Sequence, residues 1–257
     1  MTHDKTVADL VVERLVAWDV ERIYGYAGDG NNPILGALQR SDVAPRFMRA
    51  RHEESAAFMA VADAKYSGGV GVVNSTQGPG AVHLLNGLYD AKLDSVPVVA
   101  LVAQQHTGPV WSYQQEIDLS SVFADVAGPY LQTVVAADQL PMVIDRAFRA
   151  ALTHRTPVVV VIPHDVQNAP APELAGDDGQ EHGVVVTAPE WTHGVVSPRE
   201  DDVARAVELL DAGERIAILA GRGMAGARQE LMDLAEALDA GVTMSLLGKP
   251  YVDESHP

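Results

Sequence analysis

The sequence predicts an α/β fold, in which a parallel sheet flanked by helices on both faces is followed by an incomplete second α/β domain. The first observation is that short β-prone segments alternate with amphipathic ones along residues 1–166, which is typical of repeated βα units. The second is that residues 96–103 and 157–162 are continuous apolar runs, as expected of strands covered on both faces. The third is a Pro- and Gly-rich stretch at 167–196, which separates two such regions.

The elements of the first region follow in a regular order. A helix is predicted over residues 6–20, where the apolar residues recur at helical spacing. Short or apolar β-prone runs predict strands at 22–26, 46–50, 70–74, 96–103 and 157–162. Helices are predicted from Pro33 onward, over 53–66, after Gly78-Pro79-Gly80, and over 140–152. Asn32 is predicted to cap the helix that Pro33 opens.

The second region is short. Ser197-Pro198-Arg199-Glu200 has the residues of a helix N-terminus, with Ser197 predicted as the N-cap. Strands are predicted at 215–220 and 242–246, with a helix at 224–238 between them. About 60 residues of this kind bury little core by themselves, so we expect the sequence to be a truncated piece of a longer protein. The predicted organisation is a first domain at 1–166, a linker at 167–196, and the start of a second domain at 197–257.

Composition and charge exclude several classes of function. The 257 residues include 35 acidic and 18 basic side chains, a formal net charge of −17, which argues against a nucleic-acid partner. The absence of cysteine excludes disulfides, thiolate metal sites and cysteine nucleophiles. No apolar run approaches the ~20 residues that span a bilayer. The N-terminus lacks the features of a secretory signal, so a cytoplasmic location is expected.

Taken singly, the polar motifs are weak. Glu53 and Glu54 follow a predicted strand, and carboxylates there are usually explained by the favourable field of a helix N-terminus. His52-Glu53 is not a zincin motif, because no histidine follows at the required spacing. Because ligands bind at the carboxyl ends of parallel strands, these residues and Gly78-Pro79-Gly80 predict a pocket there. They do not indicate which reaction the pocket would catalyse.

The run from Gly221 to Gly226 matches the dinucleotide fingerprint G-x-G-x-x-G between a predicted strand and a predicted helix. However, the next strand at 242–245 carries no acidic residue to bind a ribose hydroxyl. A nicotinamide-dependent oxidoreductase is therefore kept as an alternative.

In combination, five stretches resemble the thiamine-diphosphate enzyme family of pyruvate oxidase, quinone-dependent pyruvate dehydrogenase and acetolactate synthase. The stretches cover much of residues 1–166, and residues 197–257 resemble the beginning of the family's central domain. Arg-His-Glu-Glu and Asn-Gly-Leu-Tyr-Asp-Ala are closest to the pyruvate oxidase branch. The resembling stretches are 25–33 (Gly-Tyr-Ala-Gly-Asp-Gly-Asn-Asn-Pro), 51–54 (Arg-His-Glu-Glu), 78–80 (Gly-Pro-Gly), 83–91 (His-Leu-Leu-Asn-Gly-Leu-Tyr-Asp-Ala) and 113–116 (Tyr-Gln-Gln-Glu).

The resemblance implies roles for individual residues. Glu53 matches the catalytic glutamate, which bonds the N1′ nitrogen of the cofactor's aminopyrimidine and so promotes loss of the thiazolium C2 proton. Gln115 matches a glutamine that reaches toward substrate, and Gly28 lies on the turn beside the pocket. The residues expected to bind the pyrimidine side of the cofactor are Tyr26, Thr76, Pro79 and His83.

Several departures from the family pattern matter. Ala27 stands where proline is frequent, and Gln77 stands where a small residue is usual, so Gln77 is expected to alter the pocket wall. In the family a C-terminal domain holds the diphosphate and Mg²⁺ through Gly-Asp-Gly and a later Asn-Asn. Residues 28–32 contain these letters without the intervening stretch, so we name no metal ligand in this sequence. Some members bind FAD through the central domain and others do not, so FAD near 221–226 stays open.

The resemblance implies the N-terminal part of an enzyme that decarboxylates a 2-keto acid such as pyruvate, with thiamine diphosphate and Mg²⁺. This part alone is expected to be inactive. The parent is expected to be a homo-oligomer, a dimer or tetramer, because the family's active site forms between two subunits. The alternatives are an acetolactate synthase-like carboligase and a non-catalytic subunit with the same fold.

Overall fold

The structure is a computed structural model that describes residues 4–108, 113–174, 184 and 186–252. The chain divides into two compact units, residues 1–193 and residues 194–257, and each is described by itself. No helix in the described part of the chain is long and apolar enough to cross a membrane.

The first unit contains a six-stranded sheet in which every pair of neighbouring strands is parallel. Its strand order is β2-β1-β3-β4-β6-β5, and this confirms the predicted fold class. The strands are β1 (Arg22–Gly25), β2 (Arg46–Arg49), β3 (Gly71–Ser75), β4 (Val98–Gln104), β5 (Leu131–Thr133) and β6 (Pro157–Pro163). The helices are α1 (Val7–Ala17), α2 (Asn32–Arg40), α3 (Glu53–Ser67), α4 (Pro79–His83), α5 (Leu85–Leu93), α6 (Leu119–Phe123), α7 (Leu140–His154) and α8 (His164–Asn168).

Two hydrophobic cores cover the two faces of the sheet. Along β4, Val99 and Leu101 belong to one core, whereas Val98, Ala100 and Val102 belong to the other. The first core is closed by α1, α2 and α7, and the second by α3, α5 and α6. Successive strand residues point to opposite faces, so burial on both faces requires the uninterrupted apolar runs seen in β4 and β6.

The start of α2 differs from the prediction. Asn32 is already helical, and Asn31 occupies the cap position after a short 3₁₀ turn over Asp29–Asn31. The Asn31 side chain is fully buried and turns back toward β1: its Oδ1 accepts a hydrogen bond from Gly28 N at 2.9 Å, and its Nδ2 donates to Asn74 Oδ1 at 2.7 Å. The predicted cap at Asn32 was wrong. A 3₁₀ turn precedes α2, so Asn31 takes the cap position and its side chain accepts the hydrogen bond of the Gly28 N–H in the loop.

The second unit has two parallel strands, β7 (Ala217–Ala220) and β8 (Gly241–Met244), and two helices, α9 (Glu200–Asp211) and α10 (Arg228–Ala237). Its buried core consists of Ala220, Leu231 and Met232. The predicted N-cap at Ser197 was wrong, because Arg199 keeps an extended backbone with φ −76° and ψ 143° and α9 begins only at Glu200. None of the residues of α9 is buried.

A buried ion pair joins α1 to α7 in the first unit. Asp145 is fully buried, and its Oδ1 accepts hydrogen bonds from Arg14 Nη2 at 2.7 Å and from Trp18 Nε1 at 2.9 Å. Its Oδ2 accepts a hydrogen bond from Thr187 Oγ1 at 2.7 Å. Both carboxylate oxygens are therefore satisfied, and the segment around Thr187 is attached to α7.

We expect Asp145→Ala to lower the free energy of unfolding by about 3 kcal/mol, because it leaves the Arg14 guanidinium buried without its carboxylate. Urea unfolding followed by circular dichroism measures the loss. The matched control is Glu13→Gln in the half-exposed pair with Lys5, for which a change within about 0.5 kcal/mol is expected. Equal effects of the two substitutions would contradict the structural role of the buried pair.

Candidate active site

The candidate site lies at the carboxyl edge of the sheet of the first unit. Tyr26 directly follows β1, and Thr76 directly follows β3. β1 and β3 are parallel neighbours, so the loops that leave them begin side by side. The short helix α4, which starts at Pro79, continues the loop from β3. The structure therefore brings Tyr26, Thr76 and Pro79 to one edge of the sheet.

Glu53 is the buried carboxyl of this edge. It is the first residue of α3, only 7% of its surface is exposed, and its Oε2 lies 3.0 Å from Nδ1 of His83. When Glu53 is a carboxylate, its Oε2 accepts a hydrogen bond from the Nδ1–H of His83. Among the described residues, Oε1 accepts no hydrogen bond. One oxygen of the carboxyl is thus positioned by the chain, and the other is left for a ligand.

The neighbouring carboxyl, Glu54, has a different environment. Its side chain is 39% exposed, and it accepts a hydrogen bond from Asn86 Nδ2 at 2.5 Å. Glu54 therefore fits the ordinary explanation of an acidic residue at a helix N-terminus. That explanation does not account for the burial of Glu53, because the field of a helix N-terminus does not require a carboxyl to be removed from solvent.

Glycines allow close packing around the carboxyl. A Cβ atom on Gly80 would lie 2.9 Å from Glu53 Oε1 and 2.6 Å from Thr76 Cγ2. A Cβ atom on Gly28 would lie 2.5 Å from Thr76 Cβ. Because any larger residue at either position would collide with its neighbours, these two glycines allow Gly28, Thr76, Gly80 and Glu53 to lie together.

Gln115 is held against the Gly-Pro-Gly turn. Gly78 has φ +58°, and a Cβ atom there would lie 2.6 Å from the carbonyl oxygen of Gln115. Gln115 itself has φ +63°, a left-handed conformation that is unusual for a residue other than glycine. The predicted substrate residue therefore lies beside the predicted cofactor turn, although the two are far apart in sequence.

Gln77 does not lie on an exposed wall of this edge. Its side chain is fully buried, its Oε1 accepts a hydrogen bond from Thr76 Oγ1 at 2.6 Å, and it occupies the space where a Cβ of Gly30 would be. Gln77 Nε2 has no hydrogen-bond partner among the described residues. Gln77 is therefore expected to affect the pocket through its contacts with Thr76 and Gly30.

Several buried polar residues of the site were not identified from the sequence. Asn31, Asn74 and Gln167 are fully buried, and Gln167 Nε2 donates to the carbonyl oxygen of Gly30 at 3.0 Å. The available signal was an asparagine within the otherwise apolar strand β3, since a buried amide requires partners. His52 was missed as well: its ring stacks on that of His83 at a centroid distance of 4.3 Å.

The letters Gly-Asp-Gly-Asn-Asn at 28–32 do not gather into a common ligand set. Asn31 is buried and its amide is bonded to Gly28 and Asn74, whereas Asp29 and Asn32 are exposed. The Asn31 amide is engaged within the fold, which is the physical reason that this run supplies no common set of metal ligands.

Comparison with known proteins places this geometry in a family. Residues 5–122 match the N-terminal TPP binding domain of thiamine pyrophosphate enzymes, and residues 203–257 match the central domain of the same enzymes. Together these matches cover more than half of the chain. The chain belongs to the thiamine pyrophosphate enzyme family. Thiamine pyrophosphate is thiamine diphosphate, so the predicted family is confirmed and its cofactor is the one predicted.

Individual relatives agree with this family. The chain is 38% identical over 98% of its length to an uncharacterized 42.6 kDa protein in the isoamylase 3′ region of Pseudomonas amyloderamosa, of which it covers 61%. It is 36% identical over 96% of its length to a pyruvate oxidase of Lactiplantibacillus plantarum, of which it covers 40%. It is 33% identical over 98% of its length to an acetolactate synthase of Arthrospira platensis, of which it covers 43%. The chain thus spans about half the length of the curated relatives that it matches.

We expect Gly80→Ala to destabilise the first unit by about 1–3 kcal/mol, because the added methyl group collides with the Glu53 carboxyl and with Thr76. The matched control is Gly36→Ala on α2, where the nearest atom is the flexible end of Arg40. Alanine there should stabilise the helix by up to about 1 kcal/mol. Urea unfolding measures both changes, and a stabilising Gly80→Ala would show that the space beside Glu53 is not tightly enclosed.

The loop after β4, which leads toward Gln115, is attached to α8 through Asp165. Asp165 Oδ2 accepts a hydrogen bond from Thr107 Oγ1 at 2.7 Å, and Asp165 Oδ1 accepts one from Thr107 N at 3.1 Å. Burial acts to raise the pKa of Asp165, but hydrogen bonds from Thr107 and from the backbone of Val166 outweigh it and lower the pKa. The carboxylate form is therefore the one that stabilises the loop.

Because the folded-state pKa of Asp165 is lowered, its contribution is fully present above the ordinary aspartate value of about 3.9 and is lost as the pH falls below it. We expect Asp165→Asn to reduce the free energy of unfolding at pH 6, and the difference from wild type to shrink at pH 3. Urea unfolding at the two pH values measures this. A difference that is the same at both would argue against an ionised Asp165 as the anchor.

Proposed function

We propose that this chain provides the pyrimidine-binding side of an enzyme that decarboxylates a 2-keto acid such as pyruvate, in the manner of pyruvate oxidase. The observation that carries the proposal is the buried Glu53 carboxyl, which His83 positions through Oε2 and whose Oε1 lies beside Gly80, a residue with no side chain to cover it. A shielded carboxyl with one free oxygen is suited to hold a proton at a ring nitrogen.

The residues present fit thiamine diphosphate. Gly28 and Gly80 both pack directly against Thr76, and Gly80 also against Glu53 Oε1, so no side chain at either glycine stands between the carboxyl and a cofactor. When bound, thiamine diphosphate supplies the nucleophilic carbon and the electron sink that decarboxylation requires. In the proposed arrangement Tyr26, Pro79 and His83 would hold its pyrimidine side.

Each protein group has a defined task in this proposal. Glu53 keeps a hydrogen bond to the pyrimidine nitrogen and passes the proton that the cofactor must exchange. His83 holds the carboxyl in place through the 3.0 Å contact. Gln115, placed beside Gly78, presents an amide to the keto acid.

Binding of the diphosphate and of Mg²⁺ is assigned by this proposal to a further domain, as the family resemblance implies. FAD binding near 221–226 stays a prediction. There, Gly226 has φ +82° in the turn between β7 and α10. A carboligase related to acetolactate synthase is the second candidate, favoured by the 33% identity to the enzyme of Arthrospira platensis.

A second copy of the chain is the proposed partner. Helices α3 and α5 are in close contact, because the Cβ of Ala57 fills the space beside Gly87. Their outer surfaces expose large apolar side chains, with Phe58 43% exposed and Leu93 79% exposed. Exposed apolar groups on two contacting helices favour burial against another subunit, as in the predicted homo-oligomer.

The test of the catalytic role compares two adjacent carboxyls. In the enzyme that combines this chain with a diphosphate-binding domain, supplied with pyruvate, thiamine diphosphate and Mg²⁺, Glu53→Gln should reduce the decarboxylation rate by about 10²–10⁴-fold. Release of carbon dioxide measures the rate.

Glu54→Gln is the matched control and should leave the rate within a few-fold, since that side chain is 39% exposed and accepts its hydrogen bond from Asn86 at the surface. Undiminished turnover of Glu53→Gln would refute the proposed role. Analysis of the product from pyruvate separates the two candidates, because a carboligase yields a five-carbon acetohydroxy acid and an oxidase yields a two-carbon acid or acyl phosphate.

A further inference from the structure

Three metal-ligating side chains converge at the N-terminus of α3. One ring nitrogen of His52, one of His83 and a carboxylate oxygen of Glu53 all lie within 4.8 Å of one another. The two imidazole rings are stacked at a centroid distance of 4.3 Å with 30° between their planes. Stacking, together with the His83–Glu53 contact, holds the three groups on one side of the helix start.

The distances are close to those of a coordinated ion. Zn²⁺ binds histidine nitrogen and carboxylate oxygen at about 2.0–2.2 Å, which puts adjacent ligand atoms of a tetrahedral site about 3.3 Å apart. The 3.0 Å separation of His83 Nδ1 from Glu53 Oε2 is already near this value. To complete the set, the nitrogen of His52 has to approach by at most about 1.5 Å from its 4.8 Å limit.

The surroundings allow both that movement and the entry of an ion. The His52 side chain is 47% exposed and that of His83 is 41% exposed, so both rings are accessible from solvent. His52 Nδ1 accepts a long hydrogen bond of 3.3 Å from Glu54 N, which a modest ring rotation would break at little cost. The Glu53 side chain is only 9% exposed and is fixed in place. A fourth coordination position would face solvent and take a water molecule.

We propose that His52, Glu53 and His83 form a binding site for Zn²⁺ or a similar divalent ion that prefers imidazole ligands. Two imidazoles and one carboxylate are a donor set that such ions favour over Mg²⁺ or Ca²⁺. The site is separate from the family's Mg²⁺, for which this chain offers no ligand set at residues 28–32.

The proposal has a regulatory consequence, which rests on the function proposed above. A divalent ion coordinated to Oε2 lowers the basicity of the whole carboxylate, including Oε1, so Glu53 holds a proton at a pyrimidine nitrogen less well. The ion and thiamine diphosphate therefore weaken each other's binding, and transition-metal ions inhibit the enzyme when they bind before the cofactor does.

Metal binding is tested on the chain itself. Isothermal titration with Zn²⁺ should show one ion per chain, and Co²⁺ should give the intense visible absorption of a four-coordinate site. His52→Ala and His83→Ala should each weaken binding about tenfold or more. His154→Ala, at the exposed end of α7, is the matched control and should bind as wild type does.

Circular dichroism establishes that each variant is folded, and His83→Gln replaces His83→Ala if the smaller residue disturbs α4. The proposal is overturned if wild type binds no Zn²⁺ in the micromolar range, or if both histidine variants bind as tightly as wild type. The proposal is supported if the His52 and His83 variants both lose affinity for Zn²⁺ by a similar factor and the His154 variant does not.

A second measurement separates this site from the proposed function. In the enzyme that contains this chain, prior saturation with thiamine diphosphate should weaken Zn²⁺ binding. If Zn²⁺ binds through the three residues but the cofactor does not compete, the metal site stands and the assigned role of Glu53 falls. If Glu53→Gln abolishes decarboxylation while wild type binds no Zn²⁺, the function stands and the metal site is refuted.

Discussion

Burial of the Glu53 carboxyl is the constraint on which the site depends. A carboxylate removed from water needs a partner, and His83 supplies it at 3.0 Å. The carboxyl also requires glycine at position 80, because a single methyl group there would collide with Oε1. His83 and Gly80 lie three residues apart on one short helix, so α4 provides both the partner of the carboxyl and the glycine that packs against it. The Gly-Pro-Gly turn that leads into α4 also brings Gly78 against Gln115 and Gly80 against Thr76.

The architecture could be predicted wherever the sequence signal was long. β4 and β6 were predicted because six consecutive buried residues in β4 and seven in β6, covered on both faces, require an apolar run. The strand β5 was missed because it has three residues, Leu131–Thr133, of which the middle one is exposed, and no periodicity develops over that length. The errors at Asn32 and Ser197 have a common origin. Asn31 precedes Asn32 and takes the cap position, and the chain after Ser197 stays extended through Arg199, so in both places the backbone before the helix decides where it begins.

The residues of the candidate site could be proposed from the sequence, but their contacts could not. Resemblance of short motifs suggested Glu53, Thr76, His83 and Gln115, and their roles stay predictions. It did not predict that His52 stacks on His83, because ring stacking depends on side-chain torsions that a motif does not specify. The motifs also did not predict that the Gln77 side chain is buried against Gly30, since residue size alone does not specify the direction of a loop side chain.

The left-handed backbone of Gln115 limits what evolution or engineering can place there. A β-branched side chain at that position would add a steric cost on the order of 1–3 kcal/mol before any chemistry was tried. Asparagine and glycine tolerate the same torsions, so they change the reach of the side chain while leaving the loop as it is. Randomised libraries at position 115 would therefore be filtered first by the main chain, and a scarcity of valine or isoleucine among active clones would report on torsion angles rather than on substrate preference.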